Sequence, residues 1–558
     1  MSDKLNPQEQ GFYRFAFGYQ KNRITERLLR WKEQEFLKKL WKKDPALWSA
    51  EPVPEIIDRM GWLFLPESME EKLPGLMEMA EEIKHEGVSH VVLIGMGGSS
   101  LAPEMFQSIF GNAEGCPKLV VLDSTHPAAI ASLREALDIK RTFFLISSKS
   151  GTTLETISLF KYFWKLVGES TSYPGRWFAA ITDSASPLDK TAEERGFRFN
   201  FRAAADVGGR YSVFTEFGLV PAALIGVDIA KLLAQAKKAA DENMFSQSED
   251  LAPGLRIGAA FGEVGLEQNK FTILTSHSIR AFADWLEQLV AESTGKNGKG
   301  ILPVVNEPLT SPCDYSEDRI FYYARLEKDE DHGEQALVEA LIKRGLPVIE
   351  CVYKDLFDLG YDIFNWQLAV SAASSILGIH PFNQPDVGRS KDLTRTIMSE
   401  GIEGKDTQEH TIFQDDPQIM AGALLKYMEK EKKYDYIGIQ AYLAPSKEVL
   451  FALKEFRQEL FQKTGTVTTL GIGPRFLHST GQIHKGGPRT GFFIQLVDEP
   501  ESDLSVPETG FTFKSLLEAQ SRGDYLALKQ SGQQIFRINL QENIQEGLLA
   551  LKKLIRCF

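Results

Sequence analysis

Two loops carry the plainest chemistry in this chain. His90–Phe106 reads HVVLIGMGGSSLAPEMF, and Phe143–Thr156 reads FFLISSKSGTTLET. Each is a short apolar, β-rich run that stops at Gly, Ser and Thr and is followed by a helical pattern. At such a strand–loop–helix junction, free backbone N–H groups meet the positive end of the helix dipole, which suits a phosphate. Two such loops in one α/β unit predict a phosphorylated small molecule held between adjacent strand ends. An ordinary N-cap needs one hydroxyl, and Thr152 with Glu155 does match a capping box. Ser147–Thr156 offers several hydroxyls and Lys149 besides, so an anion cradle is the stronger reading. The first loop also admits a dinucleotide reading, with Asp123 ending the next strand. Ser100 stands where the third glycine of G-x-G-x-x-G belongs, which weakens that alternative.

The elements that must hold these loops alternate. Strands are predicted at Val91–Ile94, Leu119–Leu122, Phe143–Ile146 and Phe178–Ile181, with helical stretches between them and a long helix over Leu224–Asn243. This βαβ series predicts a parallel sheet with helices on both faces. A second series has strands at Phe271–Leu274, Phe321–Arg325 and Val348–Val352, and helices at Ile279–Glu292 and Phe364–Leu377. A third has strands at Tyr436–Tyr442, Thr466–Leu470 and Phe492–Leu496, with a charged helix over Lys447–Lys463. The recurrence suggests internal duplication of the fold. Residues 1–60 read as helical, and the polar, acidic Gly401–Pro417 reads as an exposed insertion. The expected units are a helical segment at 1–60, a first domain at 61–245 and a second at 246–558 enlarged by C-terminal α/β elements.

Composition narrows the partners. At 558 residues the chain is too long for one core. A net charge of −13 argues against nucleic acid or an anionic membrane as a partner. Four cysteines without CxxC spacing give neither a disulfide framework nor a zinc site. The histidines are scattered, so no metal site is expected. The first residues lack the basic start and apolar core of a secretory signal, and no run approaches the roughly 18 apolar residues of a membrane span. A cytoplasmic protein is the expectation.

Several blocks, in order, resemble glucose-6-phosphate isomerases, whose sugar-isomerase (SIS) domains carry GMGGSS and SSKSGTTLET-like loops. Gly208-Gly209-Arg210-Tyr211-Ser212 is similar to the family's GGR(Y/F)S segment. Gln288–Lys296, QLVAESTGK, is similar to its Q-x-x-x-E-S-x-G-K segment, and Gly378–Lys391 to its N-P-F-D-Q block. The C-terminal part, including Gly473–Gln482, looks like the isomerase half of fused transaldolase/glucose-6-phosphate isomerases. The resemblance implies an α/β fold of two SIS-type doubly wound parallel-sheet domains, with a helical N-terminal segment and a C-terminal extension. It implies a cofactor-free aldose–ketose isomerase acting on a sugar phosphate, and a homodimer as the assembly.

Such isomerisation needs a carboxylate near C1 and C2, a cation beside the developing oxyanion and an acid/base at the ring oxygen. The resemblance implies Glu292 as the proton shuttle, with Gln288 one turn earlier on the same face. It implies Arg210 beside the enediolate and Lys391 in ring opening. Ser148, Lys149, Ser150 and Thr153 would bind the phosphate, with Gly98, Ser99 and Gln384 lining the sugar and Glu155 supporting the phosphate-side helix or a water. The ring-opening histidine departs from the family pattern. Asn306–Asp318, where single-chain relatives carry it, has no histidine, whereas Leu477–Gln482 reads LHSTGQ. His478 is therefore expected to take the role, acting within one chain if the segment has moved in sequence, with His380 and His484 as rivals. A non-catalytic sugar-phosphate sensor is the alternative from another class; it would need the phosphate loops but not Glu292, Arg210 and Lys391 together.

Overall fold

The computed structural model describes residues 12–51, 53–400, 409–411, 417–430 and 434–557. It contains three five-stranded sheets. In the first, the spatial order is Lys118–Leu122, His90–Gly95, Thr142–Ser147, Phe178–Asp183 and Phe199–Ala203, all parallel. In the second it is Leu302–Val305, Lys270–Thr275, Arg319–Leu326 and Val348–Tyr353, also parallel. In the third it is Val467–Ile472, Tyr436–Tyr442, Gly491–Val497, Gln534–Asn539 and the edge strand Glu409–Thr411. Counting from the first strand at the centre, all three share the spatial order 2-1-3-4. The recurrence read in the sequence is thus a threefold repetition of one topology.

The structure corrects several expectations. The N-terminal stretch is not purely helical: Tyr13–Ala16 pairs antiparallel with Val348–Tyr353 at the edge of the second sheet. Four residues are too few for a sequence period to register, and tertiary partners fix the strand. Tyr13 donates its hydroxyl to the buried Asp362 carboxylate at 2.6 Å. The helix expected over Leu224–Asn243 is broken at Gly226, whose φ of +82° ends one helix. A second then starts at Ile229, capped by the Asp228 side chain on the Lys231 N–H. The C-terminal elements do not enlarge the second sheet but build the third, with a core of their own around Ile437, Leu453, Phe492 and Leu554. The insertion expected at Gly401–Pro417 falls largely outside the described residues.

The first two sheets share one core, threaded by the helix Asp358–Leu377, which is buried over most of its length. A helix apolar all round belongs in such a place. The third sheet docks on both. Val506, Phe513 and Leu516 join the apolar cluster on one face of the first sheet. Tyr436, Val467, Phe493 and Tyr525 pack with Leu302 and Val304 of the second. Buried Arg457, on the helix Lys447–Thr464, ties this junction: it donates to the Val305 and Asn306 carbonyls at 2.8 and 3.2 Å and to Thr468 Oγ1 at 3.1 Å. No helix among the described residues is long and apolar enough to cross a membrane.

Arg457→Met is expected to leave these acceptors unpaired and lower unfolding stability by about 2–4 kcal/mol. Denaturant titration followed by tryptophan fluorescence checks this; an unchanged midpoint would show that the apolar contacts alone carry the junction.

Candidate active site

The Gly-rich and Ser/Thr-rich loops leave adjacent central strands of the first sheet at their C-terminal ends, where the strand order reverses. That is the place where open α/β sheets bind ligands. The second loop is internally bonded: Ser148 and Thr153 hydroxyls lie 3.1 Å apart, and Ser150 and Thr152 hydroxyls 3.0 Å apart. It runs into the helix Leu154–Gly168, whose N-cap residue Thr153 uses no side-chain oxygen on the helix N–H groups. The capping box expected from Thr152 and Glu155 therefore does not form, and the first-turn donors stay open to an anion.

The Gly-rich loop has another task. Gly97 sits at φ +56°, and a Cβ there would meet the His478 carbonyl at 2.7 Å. A Cβ on Gly98 would overlap the Gly209 carbonyl. These glycines let three loops close on one another: GMGGSS, the GGRYS turn and the His478 segment. Gly98 and Ser99 thus form packing surface behind the site, and the Ser99 carbonyl accepts from Ser147 Oγ at 3.2 Å.

His478 comes from the third sheet, on the loop following Val467–Ile472. Its Nε2 lies 3.1 Å from Glu155 Oε1. Burial alone would raise the Glu155 pKa, but the His478 charge and hydrogen bond, the backbone and the Lys391 charge bring it down to about 2. Glu155 is therefore ionised, and Nε2 must be the donor. Gln520 Nε2 donates to the same oxygen at 2.8 Å, while the Gln520 carbonyl oxygen accepts from Thr125 Oγ1 at 2.7 Å. Gln288 Nε2 holds the His478 carbonyl at 2.9 Å.

Arg210 is almost wholly buried. Its guanidinium donates to Glu292 Oε2 at 3.2 Å, Gln384 Oε1 at 3.0 Å, Ser293 Oγ at 2.9 Å and the carbonyls of Pro381 and Asn383 at 2.6 and 2.9 Å. Burial raises the Glu292 pKa, with Arg210, His478 and Gln288 opposing it. The result is a carboxylate shielded from water, beside a fixed cation, with its proton affinity raised above that of a free carboxylate.

Of the residues singled out in the sequence, Ser150, Thr153, Glu155, Lys391 and His478 line one cleft of about 580 Å³. Lys149, Arg210 and Gln384 line a neighbouring cleft, where Lys149 is paired with Asp183 at 2.5 Å. Glu292 and Gln288 connect the two through Arg210 and the His478 carbonyl. Lys391 is exposed at the mouth. The rival histidines do not reach Glu155. His484 is buried between Tyr436 and Phe493, and burial lowers its pKa to about 3. His380 accepts the Phe382 N–H on Nδ1; burial, Lys296 and Arg210 lower its pKa to about 3. Gln520, Ser293 and Gln482 were not foreseen. Gln482 Nε2 ties the Gly295 carbonyl and Asp386 at 2.8 and 2.7 Å. Both glutamines act between elements distant in sequence; Gln482 closes the LHSTGQ segment, whereas no local pattern marks Gln520. Among the described residues, no group of three His, Cys, Asp or Glu is placed to hold a metal ion.

Comparison with known proteins gives consistent results. A family model described as phosphoglucose isomerase matches residues 80–311. A glucose-6-phosphate isomerase of Mycoplasmopsis pulmonis is 30% identical over 384 residues, covering 60% of this chain and 88% of that protein. One of Campylobacter jejuni is 27% identical over 357 residues, covering 56% and 86%. Among solved structures, a hypothetical protein of Thermus thermophilus matches with a TM-score of 0.60 at 24% identity, over 69% of this chain and all (100%) of that one. A Chlamydia trachomatis glucose-6-phosphate isomerase matches with a TM-score of 0.54 at 17% identity, over 70% and 89%. The two structures share the fold.

The Glu155–His478 pair makes stability depend on acid pH. The Glu155 pKa is depressed from 4.5 to about 2, so its contribution is present above about 4.5 and is lost as pH falls towards 2. Glu155→Gln is expected to be less stable than the parent at neutral pH by about 2–3 kcal/mol, with the gap closing between about pH 4.5 and 2. Unfolding midpoints of both proteins across that range check this; a gap that stays constant down to pH 2 refutes the pairing.

Proposed function

The chain belongs to the phosphoglucose isomerase family, and we propose from that membership and from the site's geometry that it interconverts D-glucose 6-phosphate and D-fructose 6-phosphate. It is an enzyme, an aldose–ketose isomerase. The observation that carries the site assignment is the convergence of Glu292, Arg210 and the Glu155–His478 pair on the two Gly/Ser/Thr loops.

In this reading the 6-phosphate sits on Ser148, Ser150 and Thr153 at the open end of the helix Leu154–Gly168, with Lys149 adding charge from the neighbouring cleft. His478, oriented by Glu155 through Nε2–H, has Nδ1 left to exchange a proton with the ring oxygen. Lys391, facing the same cleft, assists as the ring opens. Glu292 then takes the proton from C2 of the aldose and returns it to C1. Burial raises its pKa, the direction that makes a carboxylate a stronger base. Arg210 is already ordered by its acceptors, so it meets the negative charge growing on the enediolate oxygen without reorganising. Gln384 holds Arg210, and Gln288 positions both Glu292 and the His478 loop.

Every residue in this scheme belongs to one chain. A homodimer, if formed, is not needed to bring the histidine. No cofactor or metal has a step in the scheme, and a cytoplasmic location fits a glycolytic isomerase.

Glu292→Gln is expected to lower kcat for fructose 6-phosphate isomerisation by about 10²–10⁴-fold, with substrate still bound at the Ser/Thr loop. A coupled assay for glucose 6-phosphate, run with a binding titration, tests both parts. Turnover above a few per cent of the parent would remove Glu292 as the shuttle.

A further inference from the structure

The repeated topology places a second switch point in the molecule, at the strand ends of the second sheet. There Lys270–Thr275 runs into Ser276-His277-Ser278-Ile279-Arg280, and Arg319–Leu326 runs into Glu327-Lys328. These turns occupy the positions that GMGGSS and SSKSGTT hold in the first sheet. A cleft of about 1080 Å³ opens at this point. It is walled by all three units: Ser108 follows from the first sheet, His277, Arg280 and Lys328 from the second, and Lys454 from the helix Lys447–Thr464 of the third.

Its charge is unusual for a chain of net −13. Arg280, Lys328 and Lys454 are exposed into one concavity. Among the described residues none of the three is in an ion pair, whereas cations such as Lys149, Arg210, Arg475 and Lys485 are matched to carboxylates. Like charges gathered in a cleft repel one another and focus a positive potential. The lining sets one carboxylate, Asp284, against these three cations. Asp329 is occupied: its oxygens accept from Ser276 Oγ, Ser278 Oγ and the Ser278 N–H at 2.6, 2.8 and 3.0 Å. Asp284 in the wall accepts from Asn306 Nδ2 at 3.1 Å; burial lifts its pKa to about 6, with Arg475 and, less strongly, Lys454 opposing, so it offsets part of the positive charge.

The loop here differs from the sugar-phosphate anchor. It has no glycine, and Ser278 spends both its hydroxyl and its N–H on Asp329. Recognition would rest on flexible side-chain cations and not on a backbone cradle. That favours a ligand with more than one negative charge over a single phosphate monoester. We propose that this cleft is a second anion site, separate from the isomerase site, which takes a small phosphorylated molecule of multiple negative charge through Arg280, Lys328 and Lys454. Because its walls come from all three sheets, occupancy would brace the same junction that presents His478.

Calorimetric titration of the full chain with inorganic pyrophosphate tests this. The parent is expected to show two classes of site. The variant R280S/K328S/K454S should lose one class, its affinity falling at least about tenfold, with isomerase kcat unchanged in the absence of pyrophosphate. S148A/T153A should lose the other class and keep this one. The control K447S/K463S, which removes two cations from the same helix as Lys454, should bind as the parent does. The proposal fails if the triple variant titrates like the parent, if the control weakens equally, or if the parent binds only at the Ser/Thr loop. Should the triple variant not fold, Arg280→Ser alone is read in the same way.

Discussion

The hydrogen bond between Glu155 and His478 is the constraint on which the site depends. It joins the first turn of a helix on the first sheet to a loop of the third, across 323 positions of sequence. A buried pair of this kind is costly to assemble, because both groups leave water. The surrounding hydrogen bonds make it tolerable. Gln520 takes up the same Glu155 oxygen, Gln288 holds the His478 carbonyl, and the missing side chain of Gly97 leaves room for that carbonyl. Arg475, three residues before His478, is anchored on Glu104 and Asp123 of the first sheet. The histidine is therefore fixed from several directions before any ligand arrives.

The same logic governs Arg210. Its guanidinium is buried yet saturated by acceptors from two segments: the helix bearing Glu292 and Ser293, and the turn that runs from Pro381 to Gln384. Saturation leaves the cation no freedom, which is what a site needs where charge develops during reaction. Burial raises the Glu292 pKa, and Arg210 opposes that rise. The site is thus a balance between burial and a small number of fixed opposite charges.

Repetition of one strand order explains how a single chain reaches this arrangement. The first sheet supplies the phosphate loops, the second the helix Phe282–Thr294 that carries Gln288 and Glu292, and the third the histidine. Each contributes from a loop or helix at the end of its strands, and the apolar junctions around Phe513 and around Tyr436 press the third unit against the other two. Apolar packing sets the distances, and the polar contacts then set orientation within them.

The sequence alone determined the chemistry at positions where local pattern and chemistry coincide. SSKSGTT marks a helix start with surplus hydroxyls, and the QLVAESTGK period puts Gln288 and Glu292 on one helix face. The central strands were legible for the same reason, because buried parallel strands are short apolar runs ending at turn residues. Strands such as Tyr13–Ala16, Phe199–Ala203 and Leu302–Val305 were not, since a few residues at a sheet's edge or with a proline carry too weak a period. Only the tertiary structure decided that the C-terminal residues form a third sheet, and that His478, not His380 or His484, faces Glu155. It alone revealed Gln520 and the Gly97 contact. These are long-range facts: they follow from which surfaces exclude water together, and a chain read residue by residue carries no record of that pairing.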